Sequence, residues 1–110
     1  MNENNHLVDK ICSILEDKKA IDIKIMDINE KTTLADNFII ASGTSNTHIQ
    51  ALAQEVVYQL KKEDILPKSQ EGTQSASWIL LDYGSVIVHI FSQEMRKFYN
   101  IETLWGNMGK

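Results

Sequence analysis

Apolar and polar positions alternate in two distinct periods along this chain, and the switches between them mark its elements. Leu7, Val8, Ile11, Ile14 and Leu15 recur at helical spacing, which predicts a first helix that Asn4 or Asn5 caps and that ends near Lys18-Lys19. Ile21, Ile23 and Ile25 then alternate with Asp22, Lys24 and Met26, as in a half-buried strand running to about Ile28. After the polar stretch Asn29 to Thr33, the continuous run Asn37-Phe38-Ile39-Ile40-Ala41 predicts a strand buried on both faces. Ile49, Leu52, Ala53, Val56, Val57 and Leu60 then return to the 3.6-residue period, predicting the longest helix, with Thr44 or Ser45 as its cap. Pro67 helps to close this segment, and Lys68 to Ala76 reads as a loop.

The last third carries the strongest local signal. Trp78–Asp82 and Val86–Phe91 are β-rich runs around Tyr83-Gly84-Ser85, which predicts a hairpin with Gly84 supplying the positive φ of its turn. With a two-residue loop, either Tyr83-Gly84 or Gly84-Ser85, facing residues have an odd position sum and the two faces separate. Ile79, Leu81, Tyr83, Val86, Val88 and Ile90 form an aliphatic core face. Trp78, Leu80, Asp82, Ile87, His89 and Phe91 form a mixed face, suited to a second helical layer or to a partner surface. Ser92 and Glu94 open a third helix through Met95, Phe98 and Tyr99. Phe98 reads as core, and the apolar tail Ile101 to Trp105 as a segment that packs back on the fold. The order α, β, β, α, β, β, α implies an α/β (α+β) fold, a small mixed sheet with helices, in a single domain over 1–110 with its core at about 7–105.

Composition narrows the function. A net charge of −4 is the wrong sign for a protein that lives by neutralising phosphates, so sequence-specific nucleic acid is not expected as a direct partner. The single cysteine, Cys12, excludes an internal disulfide, suits a reducing cytoplasm and sits on an apolar stripe as a core thiol. No apolar run approaches the ~20 residues of a bilayer span, and the N-terminus reads as neither signal nor transit peptide.

Candidate chemistry is sparse. His6, His48 and His89 have no metal-ligand spacing, and no nucleophile elbow is present. Gly43-Thr44-Ser45 lies between a buried strand and a helix start, a junction that can hold phosphate but that a plain capped helix explains as well. The layout resembles nucleotidyltransferases, yet the paired acids that hold Mg²⁺ there are missing: Asp82 stands alone, with Leu80 two residues before it. Asp82 reads as a turn residue accepting backbone hydrogen bonds. No catalytic residue, metal or cofactor is therefore expected, and a divergent nucleotide-binding enzyme is the alternative reading. The aromatics Trp78, Phe91, Phe98, Tyr99 and Trp105 cluster late in the chain. Trp78, beside polar residues on the mixed face, has the character of a binding anchor.

These residues also carry a family resemblance. Asp82-Tyr83-Gly84, Val88-His89-Ile90-Phe91, Arg96-x-x-Tyr99 and Glu102-x-Leu104-Trp105, with Ala35-Asp36-x-Phe38-x-Ile40 to Ser45 upstream, resemble the signature of the ribosomal silencing factor S, or Iojap-like, family. The resemblance runs from about Leu7 to Trp105. Ser85 departs from a common acidic residue, and the tail after Trp105 is short. The resemblance implies a nucleotidyltransferase-like fold without catalytic acids. It also implies a cytoplasmic factor, often dimeric in crystals, that binds protein fourteen of the large ribosomal subunit. Such a factor blocks joining of the small subunit and lowers translation when nutrients are short. The expected partner-binding residues are Trp78, Leu80, Asp82, Tyr83, His89, Phe91, Arg96 and Tyr99.

Overall fold

The run Asn37–Gly43 lies at the heart of the fold, a strand with both faces covered. A computed structural model describes residues 3–30, 33–74 and 77–106. In chain order they form α1 (Glu3–Asp17), β1 (Ile21–Asp27), β2 (Asn37–Gly43), α2 (Asn46–Lys61), β3 (Ser69–Glu71), β4 (Trp78–Asp82), β5 (Val86–Ser92), α3 (Gln93–Tyr99) and α4 (Ile101–Gly106). The strands make one five-stranded mixed sheet in the order β1-β2-β5-β4-β3. β2 and β5 are parallel, and every other pairing is antiparallel.

α1 and α2 cover one face of the sheet. Their stripes, Ile11 and Leu15 on one and Ile49, Leu52, Val56 and Leu60 on the other, meet Ile39, Ala41, Ile79, Leu81, Val88 and Ile90 in the larger core. The other face carries a smaller core of Ile28, Ala35, Phe38, Ile40, Ile87 and Phe91, against which Met95 of α3 and Ile101 of α4 pack. The tail thus does return to the fold, although the side chains of Leu104 and Trp105 lie outside the described residues. Cys12 is half-buried against the larger core. Burial first, and Glu16 and Asp9 after it, push its thiol up to about 11, which keeps the reactive thiolate scarce at neutral pH.

The start of α2 follows the expected cap. Ser45 has extended backbone (φ −155°), and its Oγ accepts from the His48 N–H at 3.1 Å. His48 adds a clasp: its Nδ1 accepts from the Thr44 N–H at 2.9 Å, so Nε2 carries the proton and meets the Lys18 carbonyl at 2.8 Å. The α2 start is thereby tied to the end of α1. Gly43 is needed here because a Cβ would fall 2.7 Å from the Ile49 side chain. Ser45→Ala is expected to destabilise the protein by about 0.5–2 kcal/mol, read as a lower midpoint in urea with an unchanged slope. A change in the slope instead would mean that the helix end had unravelled.

Several expectations shift. α1 begins at Glu3, so Asn4 and Asn5 lie inside it and neither is the cap; both are tolerated in a first turn. β1 does not alternate cleanly, because a bulge between Ile21 and Lys24, with Asp22 at φ +53°, inserts a residue. Ile23 then reaches the larger core and Met26 the smaller one, while Ile25 is exposed on this edge strand. Part of the stretch expected to be a loop is β3, held to β4 by backbone pairing that weak strand formers such as Ser69 and Gln70 do not announce. Phe98 is 75% exposed rather than core. On a two-turn helix only one of the side chains three and four places after Met95 reaches the sheet, and Tyr99 takes that position.

Candidate functional site

The hairpin that carries the site closes with the two-residue loop Gly84-Ser85. Trp78 pairs with Phe91 and Asp82 with Ile87, and the Tyr83 N–H donates to the Val86 carbonyl at 2.9 Å. Gly84 sits at φ +87°, the conformation its position asks for. Asp82 is the turn residue expected, its Oδ1 accepting from the Gly84 N–H at 2.8 Å. The two faces divide as the odd register requires, with Ile79, Leu81, Tyr83, Val86, Val88 and Ile90 all in the larger core.

On the mixed face the two strands differ. β5 lies mid-sheet, and Phe91 (0% exposed) and His89 are buried beneath it. β4 lies one strand from the edge, where α3 reaches only its start, so Trp78, Leu80 and Asp82 remain half-exposed. Trp78 stacks on Phe91 with centroids 5.0 Å apart and meets Tyr99 at 4.5 Å; Tyr99 in turn meets Phe98 edge-on at 5.2 Å. The outcome is an aromatic ledge, with Trp78 held from below and from one side and Tyr99 and Phe98 open to solvent.

His89 orients this ledge. Its Nδ1 accepts from the indole N–H of Trp78 at 3.1 Å, which leaves the proton on Nε2, a buried atom with no hydrogen-bond partner among the described residues. The Phe38 ring stands edge-on to the imidazole at 4.6 Å. Burial lowers the imidazole to about 4, from an ordinary value of 6.5. The unfolded chain protonates near pH 6.5 and the folded protein only near 4, so His89 costs nothing above pH 6.5. Between those values the unfolded state binds a proton that the native state refuses, and stability falls with pH, by about 3 kcal/mol in all. Urea midpoints measured from pH 7 to 4.5 are expected to show that slope. His89→Gln, whose amide oxygen still accepts from Trp78, is expected to flatten it, and a slope that persists would place the titration elsewhere.

The expected site residues therefore do not all lie together. Trp78, Leu80, His89, Phe91 and Tyr99 share the ledge, and Asp82 stands at the turn end of the same face. Tyr83 lies on the opposite face, in the larger core. Its hydroxyl is buried without a hydrogen-bond partner among the described residues, and burial pushes the phenol up to about 12. Arg96 is a buried tie: Nε donates to Glu102 at 2.7 Å and Nη1 to Ser42 Oγ at 2.9 Å, joining α3 to α4 and β2. The same bond holds the Glu102 carboxyl below the usual range. Phe98 belongs to the ledge and was missed. Its adjacency to Tyr99 on a helix too short to bury both was the available signal.

The pieces of an enzyme site stand apart. Gly43 pairs with Ser92 and Asp82 with Ile87, five residues away along β5, or about 17 Å at 3.4 Å per residue. The Gly43-Thr44-Ser45 turn and Asp82 are thus at opposite ends of the sheet, too far apart to contact the same phosphate group or a metal ion held on it. Among the described residues no group of three or more His, Cys, Asp or Glu is placed to hold a metal, and no helix is long and apolar enough to cross a membrane.

The family described as "Ribosomal silencing factor during starvation" matches residues 1–110. This chain belongs to the ribosomal silencing factor family. It is 40% identical over 92 residues to the ribosomal silencing factor of Bacillus subtilis, covering 84% of this chain and 78% of that one. A crystal structure from Chromobacterium violaceum superposes with a TM-score of 0.93 at 35% identity, covering 99% of this chain and 91% of that one. Another from Bacillus halodurans gives 0.84 at 33%, covering 92% and 94%. The motifs of the family resemblance have structural roles in this fold. Asp82-Tyr83-Gly84 makes the hairpin turn, Val88 to Phe91 fill both cores from β5, and Arg96 grips Glu102.

Proposed function

We propose that this silencing factor acts as a single domain in the cytoplasm, docking on the large ribosomal subunit through that subunit's protein fourteen. The ledge of Trp78, Leu80, Tyr99 and Phe98, with Asp82 at its end, is the contact surface. Bound there, the protein occupies space that the small subunit needs and represses translation under nutrient limitation; its action is steric, and no step is catalysed. The single observation that carries this reading is the ledge itself: aromatic and aliphatic side chains half-open to solvent, with Trp78 braced by stacking and one hydrogen bond. A braced aromatic loses little freedom on binding and makes a strong central anchor. A standard interface buries about 800 Å² per partner, within the reach of two strands and a two-turn helix. The net charge of −4 favours a basic ribosomal protein and disfavours ribosomal RNA. His89 and Phe91 act from beneath, by bracing Trp78, and Arg96 acts by tying α3, which carries Phe98 and Tyr99, to α4 and β2. Tyr83 acts by holding the hairpin to the larger core.

Sedimentation with purified large subunits tests the reading. The protein is expected to pellet with them and to reduce the full ribosomes formed when small subunits are added. Protein left in the supernatant, or normal joining with the protein bound, would overturn it. The same sedimentation run without ribosomes reads whether the protein forms a homodimer.

A further inference from the structure

At the other end of the sheet from the hairpin turn, beside the end of β2, lies a polar cavity of about 450 Å³ that the docking ledge does not use. Asp22, Ser42, Gln93, Lys97 and Asn100 line it around Arg96. The Arg96 side chain is only 9% exposed. Nε is taken by Glu102, and Nη1 by Ser42 Oγ and the Ile21 carbonyl. Nη2 is buried and has no hydrogen-bond partner among the described residues. Glu102 is bonded at Nε, while Asp22 Oδ2 stands 3.8 Å from Nη2, beyond hydrogen-bond distance, on a side chain that is 66% exposed. A buried charged donor without a partner is costly, and a guanidinium edge prefers a planar oxyanion.

From the unspent Nη2 of Arg96 in this polar cavity, we propose a binding site for a small molecule bearing a single carboxylate. The oxyanion takes the place of the Asp22 carboxylate, which turns outward, and accepts from Nη2. Lys97 adds charge from the rim, and the Gln93 and Asn100 amides hold the polar remainder of the ligand. The local charge selects the class. Arg96, Lys97 and Lys24, which pairs with Glu102, oppose Asp22 and Glu102, leaving one positive charge. One carboxylate neutralises that charge, whereas a phosphate dianion meets two acids. The site lies apart from the docking ledge and shares with it only Arg96, which ties α3 to α4 and β2.

Amide and Arg Nε–H NMR shifts of the full chain, titrated with sodium acetate against sodium chloride at equal ionic strength, test the proposal. Saturable shifts confined to Ser42, Arg96 and Asn100 are expected with acetate, and weaker ones with inorganic phosphate. Arg96→Lys removes the fork but also loosens a buried tie, so Asp22→Asn, at an exposed position, is the decisive variant. Removing the carboxylate that competes for Nη2, an ion pair worth about 1 kcal/mol at ~4 Å in water, is expected to tighten acetate about five-fold; Lys97→Ala is expected to weaken it. Shifts that chloride reproduces, phosphate binding tighter than acetate, or an Asp22→Asn affinity that is unchanged or lower would each overturn the site.

Discussion

Leu81→Ala is expected to remove about 2–5 kcal/mol of stability, a large part of the 5–15 kcal/mol typical of such a domain. Leu81 is fully buried at the centre of the larger core, on the strand between β5 and the short edge strand β3. The cavity left behind is bounded by sheet backbone on one side, which cannot collapse into it. At about 4 °C per kcal/mol for a domain of this size, the melting temperature falls by roughly 8–20 °C. Calorimetry checks this. A loss under about 1 kcal/mol would mean that the core is plastic at this point. Sedimentation with large subunits below the melting transition is expected to remain intact, because Leu81 faces away from the ledge.

Trp78→Ala is expected to act on both stability and docking. From the sequence alone, an indole on a partner surface should be dispensable for folding, with a near-native melt. The structure alters that expectation. Trp78 is half-buried, stacks on Phe91, meets the Tyr99 ring at a tilt, and donates to His89. Its removal uncovers the Phe91 ring and leaves His89 Nδ1 without its donor, so about 2–4 kcal/mol of stability should be lost. Subunit binding should weaken by at least ~2 kcal/mol, about thirty-fold, as for a central aromatic anchor. Leu80→Ala separates the two effects. Leu80 is half-exposed on the same strand and makes no hydrogen bond through its side chain, so its loss should spare the melt more than it spares binding. Full binding by both variants, measured on the folded fraction, would move the docking surface off this ledge.

Local pattern was sufficient wherever neighbouring residues decide the outcome. The helix stripes of α1 and α2, the Ser45 and Ser92 caps, the Gly84 turn and the aliphatic face of the hairpin all follow from spacing and turn chemistry, and all were legible. The central position of β2 was legible too, because only a strand covered on both faces reads as an unbroken apolar run. The division of the mixed face was not legible. Whether Trp78 or Phe91 is buried depends on which strand lies mid-sheet and on how far α3 extends, and both are set by pairings between residues distant in the chain. The same holds for β3, whose polar residues form a strand only because the β4 backbone offers partners, and for the bulge that turns Ile25 outward. Arg96 shows the limit most clearly. In the sequence it is one exposed-looking cation of a short motif. In the fold, Ser42, Glu102 and the Ile21 carbonyl converge on it from three other elements, so its burial, and the Nη2 nitrogen left without a partner among the described residues, exist only in the tertiary structure.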